Sequence, residues 1–460
     1  MKLAEIIDNN VLQDRNINST LFSLDHLSFE NSLFWHKIPA YRNITKNEFL
    51  TSKFQNKHAV TSIKKLQNVL TGVVEANFLM DIEQGVETAP MKIRVTPYIL
   101  SLIDWDNPYQ DPLRIQFMPL KSDCKGDHPN MKLDSLDEQK DSPVEGLVHR
   151  YHDKVLFLPL DVCPVYCRFC TRSYAIGGNT NTVNKVQFKP IYAKWERAFD
   201  YITSKIEIED VVISGGDAFM LTAERIVQIG KALLNIPHVR RIRFASKGPA
   251  VMPMKILTDT IWTNALIDVS NYGRVLGKEV ALHTHFNSVN EITQITKEAM
   301  LLLFKNGVKV RNQSVLLKGV NDSSEKMIAL VKKLSYMNVQ PYYVYIHDMV
   351  QNVEDLRTTL LTAIKIEKEV RGSTAGFNTP LFVMDAPGGG GKRDLHSYEY
   401  YNPTTGISIY RSPSVDASKL YVYYDPIHLL PKEGQLLWEN QKMPNQLLNE
   451  AINQLKQQSI

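Results

Sequence analysis

The stretch Val155-Leu-Phe-Leu-Pro-Leu-Asp-Val-Cys163-Pro-Val-Tyr-Cys167-Arg-Phe-Cys170 decides the fold, because it joins a buried strand to a loop with three cysteines. Its apolar half, Val155–Leu160, predicts a strand that is covered on both faces. The cysteines follow with the spacing Cys-x3-Cys-x2-Cys, and the whole chain has only one other cysteine, far upstream. The sequence therefore predicts a cysteine loop that leaves the C-terminal end of a buried strand.

Three clustered thiols indicate a soft-metal site. Thiolates select zinc, copper(I) and iron–sulfur clusters. A closed zinc site and a fully ligated four-iron cluster each need four protein ligands, so three cysteines leave one metal position open for chemistry. A disulfide framework is not expected, because the number is odd and Met1-Lys-Leu-Ala-Glu5 does not open a secretory signal. Small buried hydrophobes are the alternative interpretation, which the local density of cysteines disfavours.

The chain around this loop alternates between two patterns. Strand-like runs are predicted at Val155–Leu160, Asp210–Ser214, Arg241–Ala245, Glu279–Thr284, Lys309–Leu317 and Tyr342–Ile346. Amphipathic stretches predict helices at Ile191–Ser204, Ala223–Leu234, Val289–Asn306, Ser323–Met337 and Val353–Arg371. Such β-then-α units predict an α/β fold, a partial (β/α)6 barrel with functional loops at the C-terminal ends of its strands.

Five segments are expected along the chain. They are an N-terminal helical extension (1–90), a pre-barrel segment (91–150), the barrel (151–380), a strand-rich region (381–424) and a C-terminal helix (425–460). Val60–Val74 has helical spacing and predicts a packing helix. Residues 121–141 are polar and predict a surface loop, in which Cys124 is a free thiol. Leu381–Met384 and Ile407–Arg411 predict a pair of strands beyond the barrel.

Composition narrows the function classes. The formal net charge is +4 and is spread along the chain, so neither a nucleic-acid partner nor an acidic membrane surface is expected. No apolar run reaches the length that crosses a membrane. The low use of cysteine is typical of a reducing compartment, so a cytoplasmic location is predicted.

Several motifs, in one order along residues 90–415, resemble those of the lysine 2,3-aminomutase family of radical S-adenosylmethionine enzymes. Besides the cysteine triplet, they are Thr96-Pro-Tyr-Ile-Leu-Ser-Leu-Ile-Asp104, Ser142-Pro-Val-Glu-Gly-Leu-Val-His-Arg-Tyr151, Ser214-Gly-Gly-Asp217, His285-Phe-Asn287, Arg311-Asn-Gln-Ser-Val-Leu-Leu317 and Asp385-Ala-Pro-Gly-Gly-Gly-Gly-Lys392. The resemblance implies a partial radical-SAM barrel followed by a region that carries pyridoxal 5′-phosphate on a lysine.

The resemblance assigns the cysteines to a [4Fe–4S] cluster. Cys163, Cys167 and Cys170 would hold three irons, and the fourth iron would take S-adenosylmethionine and cleave it to a 5′-deoxyadenosyl radical. The remaining S-adenosylmethionine residues implied in this way are Ser214, Gly215, Gly216, Asp217, His285 and Gln313. Paired glycines also let backbone N–H groups approach a ligand closely, although an ordinary tight turn has the same pattern. A histidine such as His285 is also found as a satisfied core residue.

Lys392 is implied to carry the pyridoxal phosphate, with Arg150 near its phosphate. A lysine with this role must be reachable and mobile, and four glycines precede Lys392. Alone, the stretch would be a Gly-rich surface turn, and it is not a Walker motif, since Arg393 follows the lysine. A guanidinium at Arg150 is a suitable partner for a phosphate.

Three further residues are implied to recognise the substrate. Arg172 matches the arginine that binds the substrate carboxylate as a bidentate fork. Asp348 and Asp385 match the two acids that hold the distal ammonium of lysine. Two converging carboxylates need a cation between them, or one becomes protonated. The structural alternatives are a helix cap at Asp348 and a turn aspartate at Asp385.

The sequence also departs from the family pattern. Phe169 stands where the family usually has histidine, Ser173 and Tyr174 stand at arginine positions, and Lys247 replaces an arginine. The later cysteines that bind structural zinc are absent, so zinc is not expected. These departures leave the cofactor residues in place and concern the substrate and the assembly.

The predicted activity is that of an isomerase, an amino-acid 2,3-aminomutase that converts L-lysine to β-lysine. Arginine and ornithine remain alternative substrates, whereas Asp348 and Asp385 would repel the side chain of glutamate. A radical enzyme acting on a protein-bound lysine and a non-catalytic iron–sulfur protein are further alternatives, which the presence of Lys392 disfavours. The expected partners are a small amino acid, an electron donor such as flavodoxin or ferredoxin, and other copies of the chain in a homo-oligomer.

Overall fold

A computed structural model describes residues 24–186, 192–439 and 443–458. The first 23 residues of the predicted N-terminal extension lie outside the described residues, as do Ile191 of a predicted helix and the last two residues of the C-terminal segment. Within the described ranges, every helix is too short or too polar to span a membrane.

Nine strands pair in sequence order into one sheet. The strands are β1 Leu147–Tyr151, β2 Lys154–Phe157, β3 Asp210–Ile213, β4 Arg241–Ser246, β5 Glu279–Thr284, β6 Lys309–Leu316, β7 Gln340–Ile346, β8 Leu381–Ala386 and β9 Gly391–Asp394. Strands β2 to β8 are parallel, and β1 and β9 pair antiparallel at the two ends. The N–H group of Lys392 in β9 donates to the hydroxyl of Tyr151 in β1 at 2.7 Å, so the first and last strands meet. The predicted partial barrel is confirmed.

Helices connect the parallel strands and surround them. The helices are α1 Lys46–Phe49, α2 Ser52–Lys57, α3 Ile63–Leu70, α4 Ala76–Thr88, α5 Pro97–Leu102, α6 Pro112–Phe117, α7 Tyr192–Ser204, α8 Ala223–Leu234, α9 Gly248–Val251, α10 Met254–Thr258, α11 Thr260–Val275, α12 Gln294–Lys305, α13 Ser324–Tyr336, α14 Leu360–Val370, α15 Lys432–Glu439 and α16 Met443–Gln458. Short 3-10 turns lie at Asp25–Leu27, Phe34–Lys37, Pro39–Tyr41, Ala218–Met220, Val289–Glu291, Glu354–Leu356, Gly376–Asn378 and Ile427–Leu429.

Side-chain caps mark the starts of the barrel helices. Thr222, Ser323 and Thr359 each accept a hydrogen bond from a backbone N–H in the first turn of α8, α13 and α14. Such a cap satisfies one of the N–H groups that the helix itself leaves unpaired. The polar residue before each apolar periodic stretch therefore sets where the chain changes from loop to helix.

The barrel contains one more parallel strand than predicted. Leu381–Met384 lies in β8, which pairs parallel with β7, whereas Ile407–Arg411 lies in a separate antiparallel sheet. That sheet contains β10 Tyr398–Asn402, β11 Ile407–Ser412 and β12 Asp416–Tyr424. The two segments are therefore not a strand pair, because the buried apolar run Phe382-Val-Met384 is suited to a central position in the barrel.

Residues 121–141 have neither helix nor strand, but the segment is not a surface loop throughout. Its second part, residues 127–141, lies across the C-terminal mouth of the barrel and is called the strap below. Buried residues of the strap are His128, Met131, Ser135, Leu136 and Glu138. The ring of His128 lies 4.6 Å from the rings of both Tyr424 and Trp438, so the strap also joins the C-terminal region. The surface-loop prediction is therefore wrong for the buried residues of the strap and is confirmed for its exposed ones, such as Asn130 and Gln139.

Candidate active site

The predicted site residues gather at the C-terminal ends of the parallel strands. The cysteines follow β2, Ser214-Gly-Gly-Asp217 follows β3, His285 follows β5, Gln313 lies in β6, Asp348 follows β7, and Asp385 lies in β8. Parallel strands put all their C-terminal ends at one edge, so these segments share one mouth of the barrel. The strap crosses this same mouth.

The three cysteines of the loop are half-buried and form no disulfide. Burial raises the pKa of the Cys163 thiol, and negative charge on Cys167 and Cys170 raises it further. The thiols therefore lie close enough to repel one another when ionised. Among the described residues, no three His, Cys, Asp or Glu side chains converge tightly enough for a single metal ion. The sulfurs around a cluster stand further apart, because several irons and sulfides lie between them.

The cysteine loop is held by the glycine pair after β3. The N–H of Gly216 donates to the carbonyl of Leu160 at 2.7 Å, and the N–H of Asp217 donates to the carbonyl of Val162 at 2.9 Å. A Cβ atom would lie 2.4 Å from the Leu160 carbonyl oxygen at Gly215 and 2.3 Å from the Val162 carbonyl oxygen at Gly216. The N–H groups of Gly216 and Asp217 thus bind the loop, and the placing of this segment at S-adenosylmethionine stays a prediction.

The carboxylate of Asp217 also forms its hydrogen bonds within the protein. Its carboxylate accepts N–H groups from Phe219 and Lys247, each at 2.8 Å. Burial raises the pKa of this carboxyl, and these hydrogen bonds oppose the rise. Asp217 therefore ties the end of β3 to the end of β4 directly beneath the cysteine loop.

His285 directly follows β5, and Gln313 lies in the neighbouring strand β6. The ring of His285 stacks on Phe169 of the cysteine loop, with centroids 5.5 Å apart and planes 15° apart. Burial lowers the pKa of His285 well below its usual range, so its imidazole is neutral. The Nε2 atom of His285 is buried and has no hydrogen-bond partner among the described residues. The side-chain amide nitrogen of Gln313 lies 3.5 Å from Nδ1 of His283, which is in β5 two residues before His285.

An ion pair anchors the middle of the cysteine loop. Arg168 binds both carboxylate oxygens of Asp355, at 2.9 and 2.8 Å, and its N–H donates to the carbonyl of Gln116 at 2.9 Å. Arg168 is 4% exposed. The loop after β2 is thereby fixed to the segment after β7, on the far side of the mouth.

Lys392 lies opposite Asp385 in the β8–β9 pairing. Its Nζ atom is 3.4 Å from Oδ2 of Asp385 and lies 5.6 and 5.8 Å from the ring centroids of Tyr345 and Tyr151. Burial alone would lower the pKa of Lys392, but Asp385, Tyr345 and Tyr151 together raise it well above its usual range. The site therefore holds a protonated amine between two aromatic rings.

The glycine stretch before Lys392 forms the tight turn that joins β8 to β9. Gly388 and Gly389 have φ angles of 73° and 86°, a region that residues with a side chain rarely adopt. The N–H of Gly388 donates to the carbonyl of Ser135 in the strap at 2.9 Å. A Cβ on Gly389 would lie 3.6 Å from Nε of Arg150, so the turn rests on that guanidinium.

Arg150 is half-buried and its guanidinium pairs with the strap. Its Nε atom donates to Oδ2 of Asp141 at 2.8 Å, and Nη2 donates to the carbonyl of Leu136. The bond to Asp141 raises the pKa of Arg150, against the effect of burial. Arg150 and Lys392 therefore place two cations at one glycine turn.

Asp348 is the acid that lacks a cation. Its Oδ1 atom is buried without a hydrogen-bond partner among the described residues, and the same holds for Oδ1 of Asp385. Burial raises the pKa of Asp348 well above its usual range, and the neighbouring charge of Asp385 adds to the rise. The charges of Lys392 and Arg172 lower it, so all four groups act on one another.

Glu138 is a charged residue of the mouth that the sequence analysis did not predict. Arg172 donates from Nη2 to Oε1 of Glu138 at 2.6 Å, and the hydroxyl of Tyr174 donates to Oε2 at 3.1 Å. Glu138 is 4% exposed. Its context, Asp134-Ser-Leu-Asp-Glu138, is that of a polar loop, and nothing local to the sequence distinguishes it.

Curated proteins that are similar to this chain are named 2,3-aminomutases. The L-lysine 2,3-aminomutase of Acetoanaerobium sticklandii is 37% identical over 356 residues, which cover 76% of this chain and 80% of that protein. The L-lysine 2,3-aminomutase of Bacillus subtilis is 36% identical over 409 residues, covering 88% and 81% of the two chains. The glutamate 2,3-aminomutase of Clostridioides difficile is 28% identical over 397 residues, covering 86% and 87%. No protein-family model matches the chain.

Proposed function

This chain belongs to the lysine 2,3-aminomutase family and is an isomerase of the 2,3-aminomutase type, and we propose that it uses radical S-adenosylmethionine and pyridoxal phosphate chemistry on L-lysine. The observation that carries the proposal is the meeting of Lys392, Asp385 and Asp348 at the mouth that also holds the cysteine loop. An amine that can carry a cofactor and two acids that can hold a cation thus face one space.

The donor sets suit the cofactors. Cys163, Cys167 and Cys170, free of disulfides and close together, would hold a [4Fe–4S] cluster with one iron open. Lys392 would carry pyridoxal phosphate, and Arg150 stands at the glycine turn beside it as a partner for phosphate. When bound, the cluster with S-adenosylmethionine supplies a radical that removes hydrogen, and pyridoxal phosphate supports the migrating nitrogen.

The substrate would be held at both ends. Arg172 binds the α-carboxylate, and Asp348 with Asp385 binds the distal ammonium. With the amine of Lys392 joined to the cofactor, Asp385 would lack the cation that it now pairs with, and a substrate ammonium would suit that place. This exchange satisfies the unpartnered oxygens of both acids.

The paired acids also bear on the choice of amino acid. Arginine and ornithine are the second candidates, since either side chain carries a cation that two carboxylates can bind. Glutamate, the substrate named for the relative from Clostridioides difficile, would place a third carboxylate beside Asp348 and Asp385. A protein-bound lysine is disfavoured, because its main chain offers no free carboxylate to Arg172. The electron is supplied from outside by a donor such as flavodoxin or ferredoxin.

The test is an anaerobic activity screen. The protein is reconstituted with iron, sulfide and pyridoxal phosphate, then given S-adenosylmethionine, a reductant and one amino acid at a time. Products are separated before mass spectrometry, because α- and β-isomers have equal mass. We expect β-lysine from L-lysine. Turnover of arginine or ornithine alone would reassign the substrate, and no turnover of any basic amino acid would reject the proposal.

A further inference from the structure

Arg172 is already engaged before any substrate arrives. A guanidinium has five N–H groups, and Glu138 takes one of those on Nη2. The Nε–H group is buried and has no partner among the described residues. An unsatisfied buried donor is costly and is expected to gain an acceptor in the working complex. The edge formed by Nε–H and the second Nη2–H is the one that a carboxylate binds with two bonds.

Glu138 is itself held from two directions. The Tyr174 hydroxyl binds its second carboxylate oxygen at 3.1 Å, so the plane of the carboxylate is fixed. The strap around it is fixed to the walls of the mouth, by Lys132 N–H to the Met349 carbonyl at 3.2 Å and by the Ser135 carbonyl to Gly388 N–H at 2.9 Å. A carboxylate anchored in this way can set the orientation of a longer and more flexible arginine.

We propose that Glu138 positions Arg172, so that the guanidinium presents its Nε edge to the α-carboxylate of the substrate. This inference rests on the proposed function and adds a residue to it. Glu138 is a positioning residue, and its described side-chain hydrogen bonds are to Arg172 and Tyr174. Its effect is exerted through Arg172, with Tyr174 as the second point of support.

The test compares two ligands that differ only in the carboxylate. L-lysine and cadaverine share the distal ammonium and a second amine, and cadaverine lacks the α-carboxylate. Dissociation constants are measured by calorimetry on the anaerobically reconstituted protein with S-adenosylmethionine and without reductant, so that no turnover occurs. The variants are Glu138→Ala, Glu138→Gln and Tyr174→Phe. The control is Glu298→Gln, an exposed acid that accepts a hydrogen bond from Gln294 at 2.9 Å.

We expect Glu138→Ala to weaken the binding of L-lysine about tenfold and to leave the dissociation constant of cadaverine unchanged. Glu138→Gln keeps an acceptor for Nη2 and should retain most of the affinity for lysine. Tyr174→Phe should weaken the binding of L-lysine by a smaller factor, about threefold. This variant tests the inference if Glu138→Ala does not fold. Glu298→Gln should change neither ligand.

Two results would overturn the inference while leaving the proposed function intact. One is unchanged lysine affinity in Glu138→Ala and Tyr174→Phe. The other is an equal loss of lysine and cadaverine, which indicates general damage to the mouth. If the unsubstituted protein binds no lysine, the same contrast is made with arginine against agmatine and ornithine against putrescine. Failure of all three pairs in that protein would reject the proposed function and the inference together.

Discussion

Lys392 and Asp385 face each other across two antiparallel strands, with Nζ 3.4 Å from Oδ2. The pair sits on regular strands and not on a loop, so its geometry is set by the barrel. Against the effect of burial, Asp385 together with Tyr345 and Tyr151 raises the pKa of Lys392 and keeps the amine protonated. The same acid becomes available to a substrate cation when the amine is used elsewhere, so one residue can serve both states.

Replacing Lys392 tests the cofactor assignment. Lys392→Ala removes the only amine that lies between the rings of Tyr151 and Tyr345 in the described part of the chain. We incubate this variant with pyridoxal phosphate and remove the excess cofactor. We expect the protein then to show no visible absorbance from bound cofactor. Lys326→Ala, at an exposed lysine 3.5 Å from Asp322, should retain it. Visible absorbance that persists in Lys392→Ala would show that another residue carries the cofactor.

Asp348 gives a prediction about stability and pH. Its pKa is raised in the folded protein, by burial first and then by Asp385. Between the usual carboxyl pKa of 3.8 and the raised pKa of the folded state, the folded protein binds more protons than the unfolded one. The free energy of unfolding therefore falls as the pH rises between these two pKa values. Asp348→Asn removes this penalty. We expect its Tm at pH 7 to exceed that of the unsubstituted protein by about 2 °C.

The pH dependence and the ligand response check this explanation. The difference in Tm should shrink on acidification and vanish below pH 3.8, where the carboxyl is protonated in both states. Added L-lysine should raise the Tm of the reconstituted unsubstituted protein and have a smaller effect on Asp348→Asn, because one of the two acids is gone. A variant that is less stable at pH 7 would show that the ionised carboxylate of Asp348 does not destabilise the folded protein.

The sequence was sufficient for the parts of the fold that depend on local patterns. Helix α8 was predicted with its exact bounds, Ala223–Leu234, because a clear amphipathic repeat follows a capping threonine. The placing of the site followed from topology, since loops after parallel strands meet at one mouth. The family motifs then supplied residues for that mouth, such as Lys392 and Asp385.

Other parts depend on contacts between distant segments and could not be predicted. Glu138 meets Arg172 only because the strap folds back over the mouth, and an acid in a polar loop gives no sign of this. The tight contact of Gly215 and Gly216 with the cysteine loop is equally non-local. Strand β8 was placed outside the barrel because a short apolar run does not say which strand it will pair with.

The glycine pair after β3 can be tested without touching a thiol. Gly216→Ala puts a Cβ 2.3 Å from the carbonyl oxygen of Val162, next to the first cysteine of the loop. The loop must move, and we expect a loss of about 1–3 kcal/mol in the free energy of unfolding together with less iron bound after reconstitution. Gly126→Ala is the matched control, since nothing lies within 4 Å of its Cβ. Normal iron content in Gly216→Ala would show that the loop tolerates the displacement.

The ion pair between Arg168 and Asp355 should be needed to hold the cysteine loop. Asp355→Ala leaves the buried guanidinium without its carboxylate, and breaking a buried pair from one side costs about 3–5 kcal/mol. We expect this loss in chemical unfolding of the apoprotein, with a parallel loss of iron on reconstitution. Asp355→Asn, which keeps an oxygen acceptor, should lose less. Asp322→Ala breaks an exposed pair with Lys326 and should change the free energy of unfolding by less than about 0.5 kcal/mol. If Asp355→Ala unfolds and binds iron like the unsubstituted protein, the loop is held by its backbone bonds alone.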